Sequence, residues 1–344
     1  MNSSKKKYMI KGKRIFQYGN YDRYYGYRLS LTDKESNSDK VWADPRLLML
    51  KKQYFRKKIV LDIGCNAALA HQFRPRMIFG IDLDGVLIAK ARKVLSFRAN
   101  ELMKKKIADV SKRTAKQKRD DFSEEGSESD EEKQLLSFSH YHFKEVSIYE
   151  DSNQTTIINE TLFKNFPYNV YFKVENFLTD QHSMRQYDTI TWSISLFFLI
   201  PSFSVTKWIH LNWGDKGILL LFLKVYALLK QHGIFILEYQ QWSSYHKKCH
   251  YSKTLEDNYS TIKIHPEEFP LILQKMGMQM ISNRRPTLSP GINHSVTKGF
   301  NRNIAVFKKS GKEVDFDIHQ VTLDNLESFI PLQEYLTISV PPVK

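Results

Sequence analysis

Cysteine is nearly missing from this chain: Cys65 and Cys249 are the two in 344 residues. Two thiols cannot build a disulfide framework, and they fit a reducing compartment. Long apolar runs are lacking too. A run such as "GILLLFLKVYALL" is broken by Lys224 and is too short to span a bilayer. The opening "MNSSKKKYMIKGKR" holds no apolar signal segment, so a soluble, intracellular protein without a membrane is the expectation. Acidic residues are outnumbered, 37 against 52 Lys and Arg, leaving a formal charge of +15. That surplus concerns partners rather than fold. It suits a polyanion, or simply a basic soluble surface.

What is present alternates. Strands are expected at "KIVLDIG", "RMIFGIDLD" (76–84), "NVYFKVENFL" (169–178), "QYDTITWSISL" (186–196), "IFILEYQQW" (234–242) and "RNIAVFKK" (302–309). Helical spacing predicts helices at 44–55, 85–106, 217–233 and 266–277, with a basic loop after 242. Alternating strands and helices make an α/β fold with a doubly wound, mostly parallel sheet. Residues 1–15 read as a basic, disordered tail, and the aromatic stretch "FQYGNYDRYYGYR" (16–28) as an N-terminal lid. The charged block within 107–155 reads as a disordered insertion holding phosphorylatable Ser127 and Ser129. Residues 16–309 would then be one domain, and 310–344 a C-terminal extension.

The stretch "LDIGCNAALAHQF" (61–73) has the beginning of a nucleotide-binding turn. A strand runs into Asp62-x-Gly64-x-Asn66, and an acid, Asp82, ends the next strand 18 residues after Gly64. Glycine lets backbone approach a ligand, and the acid can accept from ribose hydroxyls. A Gly-x-Gly-x-x-Gly fingerprint is missing, which points away from a dinucleotide. One glycine and one acid also occur in plain tight turns.

Longer motifs say more. "FQYGNYDRYYGYR", "TKWIHLNWGDKG" (206–217), "LEYQQWSSYHKK" (237–248) and "KGFNRNIAVFKK" (298–309) together resemble the Bicoid-interacting protein 3 family, from about Phe16 to Lys308 with the insertion left out. The resemblance implies a Rossmann-like methyltransferase fold using S-adenosylmethionine. It implies methyl transfer to the γ-phosphate of an RNA 5′ triphosphate, on a small nuclear RNA such as 7SK, in the nucleus, with a La-related protein as partner. Carried over, Tyr24, Arg46, Gly64, Asn66, Asp82, Leu83 and Asn176 are cofactor-binding. Arg28, Lys207 and Asn212 meet the RNA phosphate, and Lys207, His210 and Tyr24 form the catalytic set, with no metal. His210 reads equally as a hydrogen-bonded structural histidine. The pairs Lys247-Lys248 and Arg284-Arg285 read as phosphate contacts or solvated charge.

Two departures sit near the expected cofactor. Ala67-Ala68 replace a Gly-containing turn, and the connection to Arg76 is short for a parallel crossover, which normally takes about a dozen residues. In "SISLFFLIPSFSVTKW", extra apolar residues surround Pro201. Mis-assigned exon boundaries would give this pattern, and so would a degenerate relative. Three readings stay open: a triphosphate-capping enzyme, a 5′-monophosphate RNA methyltransferase, and an RNA-binding relative with impaired catalysis.

Overall fold

The computed structural model describes residues 9–10, 13–14, 49–64, 73–93, 95–97, 99–100, 104, 108, 169–180, 187–192, 205–286 and 302–338. Seven strands form the main sheet: β1 (Ile59–Ile63), β2 (Met77–Asp82), β3 (Val170–Val174), β4 (Tyr187–Trp192), β5 (Leu229–Tyr239), β6 (Met278–Arg284) and β7 (Asn303–Lys309). Their spatial order is β3-β2-β1-β4-β5-β7-β6. The first five are parallel, while β7 runs antiparallel to both β5 and β6. The order reverses beside β1, so the carboxyl ends of β1 and β4 open a crevice there. This is the Rossmann-like methyltransferase fold.

Side-chain alternation explains why the sheet is buried on both faces. From β1, β5 and β7, Leu61, Ile63, Phe235, Leu237, Ala305 and Phe307 enter the larger core. Their neighbours Val60, Ile236, Ile304 and Val306 enter a second core with Leu50, Tyr54, Phe55 and Phe73. The larger core is filled by α1 (Val205–Leu228) and α4 (Phe269–Lys275). Residues 218–222 of α1 are fully buried, as expected of a helix that is apolar all round. Two residues further on, the Lys224 ammonium donates to the carbonyls of Leu178 at 2.5 Å and Phe177 at 3.4 Å. The charge that breaks the apolar run thus ties the exit turn of β3 to α1.

Several boundaries differ from the sequence reading. The helix expected over 217–233 ends at Leu228, and the chain passes straight into β5. Leu229 is already paired with Tyr187, and a bulge follows in which His232 takes φ 64°. Pairing to β4 overrides helix propensity there. At 44–55 a continuous helix is excluded, because Lys51 is extended and only a 3₁₀ turn, Lys52–Tyr54, follows. The basic loop after 242 is two helices, α2 (Ser243–Cys249) and α3 (Lys253–Thr261), the second capped by Ser252. Strand β6 was not anticipated; its pattern is mostly exposed because it is an edge. In the expected disordered tail, Met9–Ile10 pair antiparallel with Lys13–Arg14. Residues 310–338 return to the core, where Ile318, Val321, Leu326, Ile330, Leu332 and Tyr335 are buried. Nearly all of 107–155 lies outside the described residues, as do Ala67-Ala68 and Pro201.

Candidate active site

The site is built at the carboxyl ends of β1 to β5. Gly64 follows β1 with φ +73°, and its N–H donates to Ile81 at 2.8 Å. A Cβ there would come within 2.6 Å of Val205 Cγ2. The turn and the first residue of α1 are therefore in close approach, which a side chain would prevent.

One strand over, Asp82 ends β2 and accepts from the Asp84 N–H at 2.8 Å. Burial pushes its carboxyl up to about 7, against the lowering effect of that hydrogen bond, and the Asp84 charge pushes the same way as burial. Asp84 in turn accepts from the Val86 N–H at 2.8 Å, opening the helix that begins at 85. Beside Asp82, Leu83 is 41 % exposed, Val86 44 % and Val174 50 %. Apolar side chains left open in one place mark a surface that something covers. Asn176, after β3, accepts from the Leu178 N–H at 3.1 Å, and its own N–H donates to Asp180. Its side-chain oxygen fixes the turn, which leaves its amide nitrogen as the side chain's donor group.

Lys207 stands in the first turn of α1, two residues past Val205 and so only about 3 Å further along the axis. It is 6 % exposed and lies 5.7 Å from the Trp208 ring centroid. Among the described residues its ammonium has no hydrogen bond or ion pair. Burial, then the charges of Arg302 and Lys248, lower it from 10.5 to about 7. Arg302 is held at 2.7 Å by Glu238, which is fully buried at the end of β5. Lys248, on α2, donates to the Tyr251 hydroxyl. Three cations from α1, α2 and the entry to β7 thus converge where the sheet opens. Sequence reasoning found Lys207 and left Lys248 undecided. It missed Arg302, whose signal was its place just before the closing strand "NIAVFKK".

His210 stands elsewhere. It is fully buried between Tyr245 and Phe269, and its Nε2 pairs with Asp215 at 2.9 Å. Burial lowers its pKa from the usual 6.5. Asp215 also accepts from the N–H groups of Lys263 and Ile264, so this histidine belongs to a brace between α1 and the segment after α3. The placement is that of the structural histidine. Asn212 donates to the Trp208 carbonyl at 2.8 Å, within its own helix. Tyr24, Arg28, Arg46 and Asn66 lie outside the described residues. Gly64, Asp82, Leu83 and Asn176 are brought to one end of the sheet, with Lys207 across from them. Among the described residues no His, Cys, Asp and Glu cluster could hold a metal, and no helix is long and apolar enough to cross a membrane.

This donor set fits S-adenosylmethionine. A close-approach glycine, a carboxylate for a ribose diol, an apolar patch for a base and a turn amide stand along one edge. Comparison with known proteins agrees. The chain is 34% identical over 306 residues to a probable RNA methyltransferase of Arabidopsis thaliana, covering 87% of this chain and 82% of that protein. It is 30% identical to the human 7SK snRNA methylphosphate capping enzyme, covering 87% of this chain but 40% of that longer protein. It is 28% identical to the U6 snRNA methylphosphate capping enzyme Amus of Drosophila melanogaster, covering 90% and 82%. The family model for Bicoid-interacting protein 3 matches residues 197–309, which hold Lys207, Lys248, Glu238 and Arg302. The chain belongs to the Bicoid-interacting protein 3 family.

Proposed function

We propose that this chain is an S-adenosylmethionine-dependent RNA methyltransferase that methylates the 5′-terminal phosphate of a small nuclear RNA. The observation that carries the reading is Lys207: a buried ammonium with no anionic partner among the described residues, within electrostatic reach of Arg302 and Lys248 beside the cofactor turn. Glu238 answers Arg302, which leaves the Lys207 ammonium without an anion among the described residues, and a terminal phosphate supplies one.

When bound, S-adenosylmethionine supplies an electrophilic methyl group. Gly64 lets the backbone close on it, Asp82 would accept from its ribose hydroxyls, and Leu83, Val86 and Val174 would cover its base. The acceptor oxygen of a phosphate is already anionic near neutral pH, so no strong general base is required. What the protein supplies is position and charge: Lys207, Lys248 and Arg302 hold the phosphate beside the cofactor turn. Glu238 fixes Arg302. His210 acts through its brace on α1 and not on the phosphate.

Triphosphate ends suit three converging cations better than monophosphate ends. The relatives named for capping act on different RNAs, 7SK and U6, so both are substrates to try. A small nuclear RNA substrate places the working enzyme in the nucleus, with a La-related RNA-binding protein as the partner to seek. The test is methyl transfer from labelled cofactor to short RNAs carrying a 5′ triphosphate, monophosphate or hydroxyl. Transfer is expected to the triphosphate, and none to the hydroxyl. Tight RNA binding with no transfer to any end would establish the catalytically impaired relative instead.

A further inference from the structure

Strand β6 is the edge of the main sheet, and its carboxyl end carries Arg284 and Arg285, both exposed. Since β6 runs parallel to β5, with β7 antiparallel between them, this end lies on the same side of the sheet as Glu238 and Tyr239. Register makes the placement specific: Glu238 pairs with Ile304, and Ile304 pairs with Arg284. Each strand step is about 4.8 Å, so these arginines stand about 10 Å from the end of β5.

A polar network bridges the gap. Arg285 Nε donates to Asn303 Oδ1 at 2.7 Å, and Asn303 Nδ2 donates to the Tyr239 hydroxyl at 3.2 Å. Asn283 Nδ2 donates to the same hydroxyl at 3.0 Å. Arg302, beside Asn303, belongs to the phosphate site. Cations therefore run from Lys207 and Lys248 through Arg302 to Arg285 and Arg284, along one rim. Arg284 makes no ion pair among the described residues.

Edge strands also carry charge simply to block pairing with other chains. That explanation would put the charge where the edge is apolar. Here Met280 and Ile281, in the middle of β6, are 39 % and 41 % exposed, and both arginines sit beyond them at the end nearest the site.

We propose that the RNA leaves the methyl-transfer site over the carboxyl end of β6, with backbone phosphates downstream of the 5′ end held by Arg285 and Arg284. This rests on the RNA methyltransferase reading above. It adds a second phosphate-binding site, one that recognises RNA length rather than the terminal group.

The experiment uses the full chain with Arg284 and Arg285 both changed to Gln, and Lys308→Gln as a control. Lys308 lies at the opposite end of β7 and removes charge far from the rim. Two 5′-triphosphorylated probes are compared, a dinucleotide and a longer single-stranded RNA. The ratio of kcat/KM for the long probe over the short one is expected to fall about tenfold in the double variant and to hold in the control. Binding of the long probe, read by fluorescence anisotropy, should show a salt slope shallower by about 1 per arginine lost. Arg285→Lys, which keeps the charge, should recover most of the slope. An unchanged salt slope in the double variant, or an equal loss in Lys308→Gln, overturns the track. The binding arm does not need turnover. A wild-type chain that transfers no methyl would overturn the enzymatic reading while the slope still decides the track.

Discussion

At the scale of single residues, buried Lys207 and half-buried Asp82 both stand in surroundings that oppose their charge, and both sit where a ligand would relieve the conflict. An ammonium lowered from 10.5 to about 7 means that the unfolded chain binds more protons between those values. Stability should therefore rise with pH across that window. Lys207→Met is expected to flatten the rise and to increase the midpoint of thermal unfolding. The same change, or Lys207→Ala, should lower turnover on triphosphate RNA by roughly 10²-fold while leaving cofactor affinity intact, the scale of losing one preorganised donor. Lys207→Arg should rescue only partly, because a planar fork does not replace a point charge. A variant that lost stability along with activity would mean that Lys207 is structural. Asp82 gives its pH signature in binding rather than in stability. Its carboxyl, pushed up to about 7, must ionise to accept from a ribose diol. Cofactor affinity measured by calorimetry should weaken as pH falls through about 7, and Asp82→Asn should remove that dependence. Asp82→Ala should cost about 1.5–3 kcal/mol of binding above it.

Element by element, α1 is the part most shaped by the site. It begins against Gly64, carries Lys207 in its first turn, and is broken at Gly214, where φ is 61° and ψ is −161°. That conformation is essentially restricted to glycine, although a Cβ there would meet nothing within 4 Å. Gly214→Ala should thus cost about 1–3 kcal/mol through backbone strain alone. Urea unfolding with an unchanged m-value would show it, and a neutral result would mean the kink relaxes. Past the kink, Asp215 gathers His210 Nε2 and two backbone N–H groups. Asp215→Ala would leave the buried His210 ring and the Ile264 N–H without that acceptor, and should destabilise more than His210→Phe. Because burial lowers the His210 pKa, its share of stability is present above the ordinary histidine range. That share is lost as pH falls, when the unfolded chain gains the proton.

For the whole molecule, the last described segment is part of the fold. Lys309 Nζ, fully buried, donates to the Leu229 carbonyl at 2.9 Å and pairs with Glu313 at 2.7 Å. Beyond it, Ile318, Val321, Leu326, Ile330, Leu332 and Tyr335 enter the larger core. The five aliphatic side chains among them contribute about 1.5–3 kcal/mol each when fully buried. Together they rival a domain's whole stability of about 5–15 kcal/mol. A chain ending at Lys309 should lack a cooperative thermal transition by circular dichroism. A transition like that of the full chain would show the segment to be dispensable. Charge acts at the same scale. With a formal +15, RNA affinity should fall steeply with salt as counterions are released, and a flat response would remove the nucleic-acid reading.

Periodicity in the sequence was enough to determine the alternating fold and the first, second and closing strands, because those segments are buried on a sheet whose pattern is local. Gly64 and Asp82 were legible for the same reason: a turn and a strand end announce themselves within a few residues. Lys207 was legible through a long motif. Other features depend on contacts between distant segments, and only the tertiary structure decided them. Strand β6 hides its period because one side of it meets solvent. The end of α1 is set by the pairing of Leu229 with Tyr187, 42 positions apart. Arg302 gains its meaning from Glu238 and Lys207, which no local pattern links to it. The motif left His210 open between chemistry and frame, and only the fold shows its contacts with Asp215, Tyr245 and Phe269. Local patterns choose elements, but a site is made of charges that meet only after the sheet has closed the distance between them.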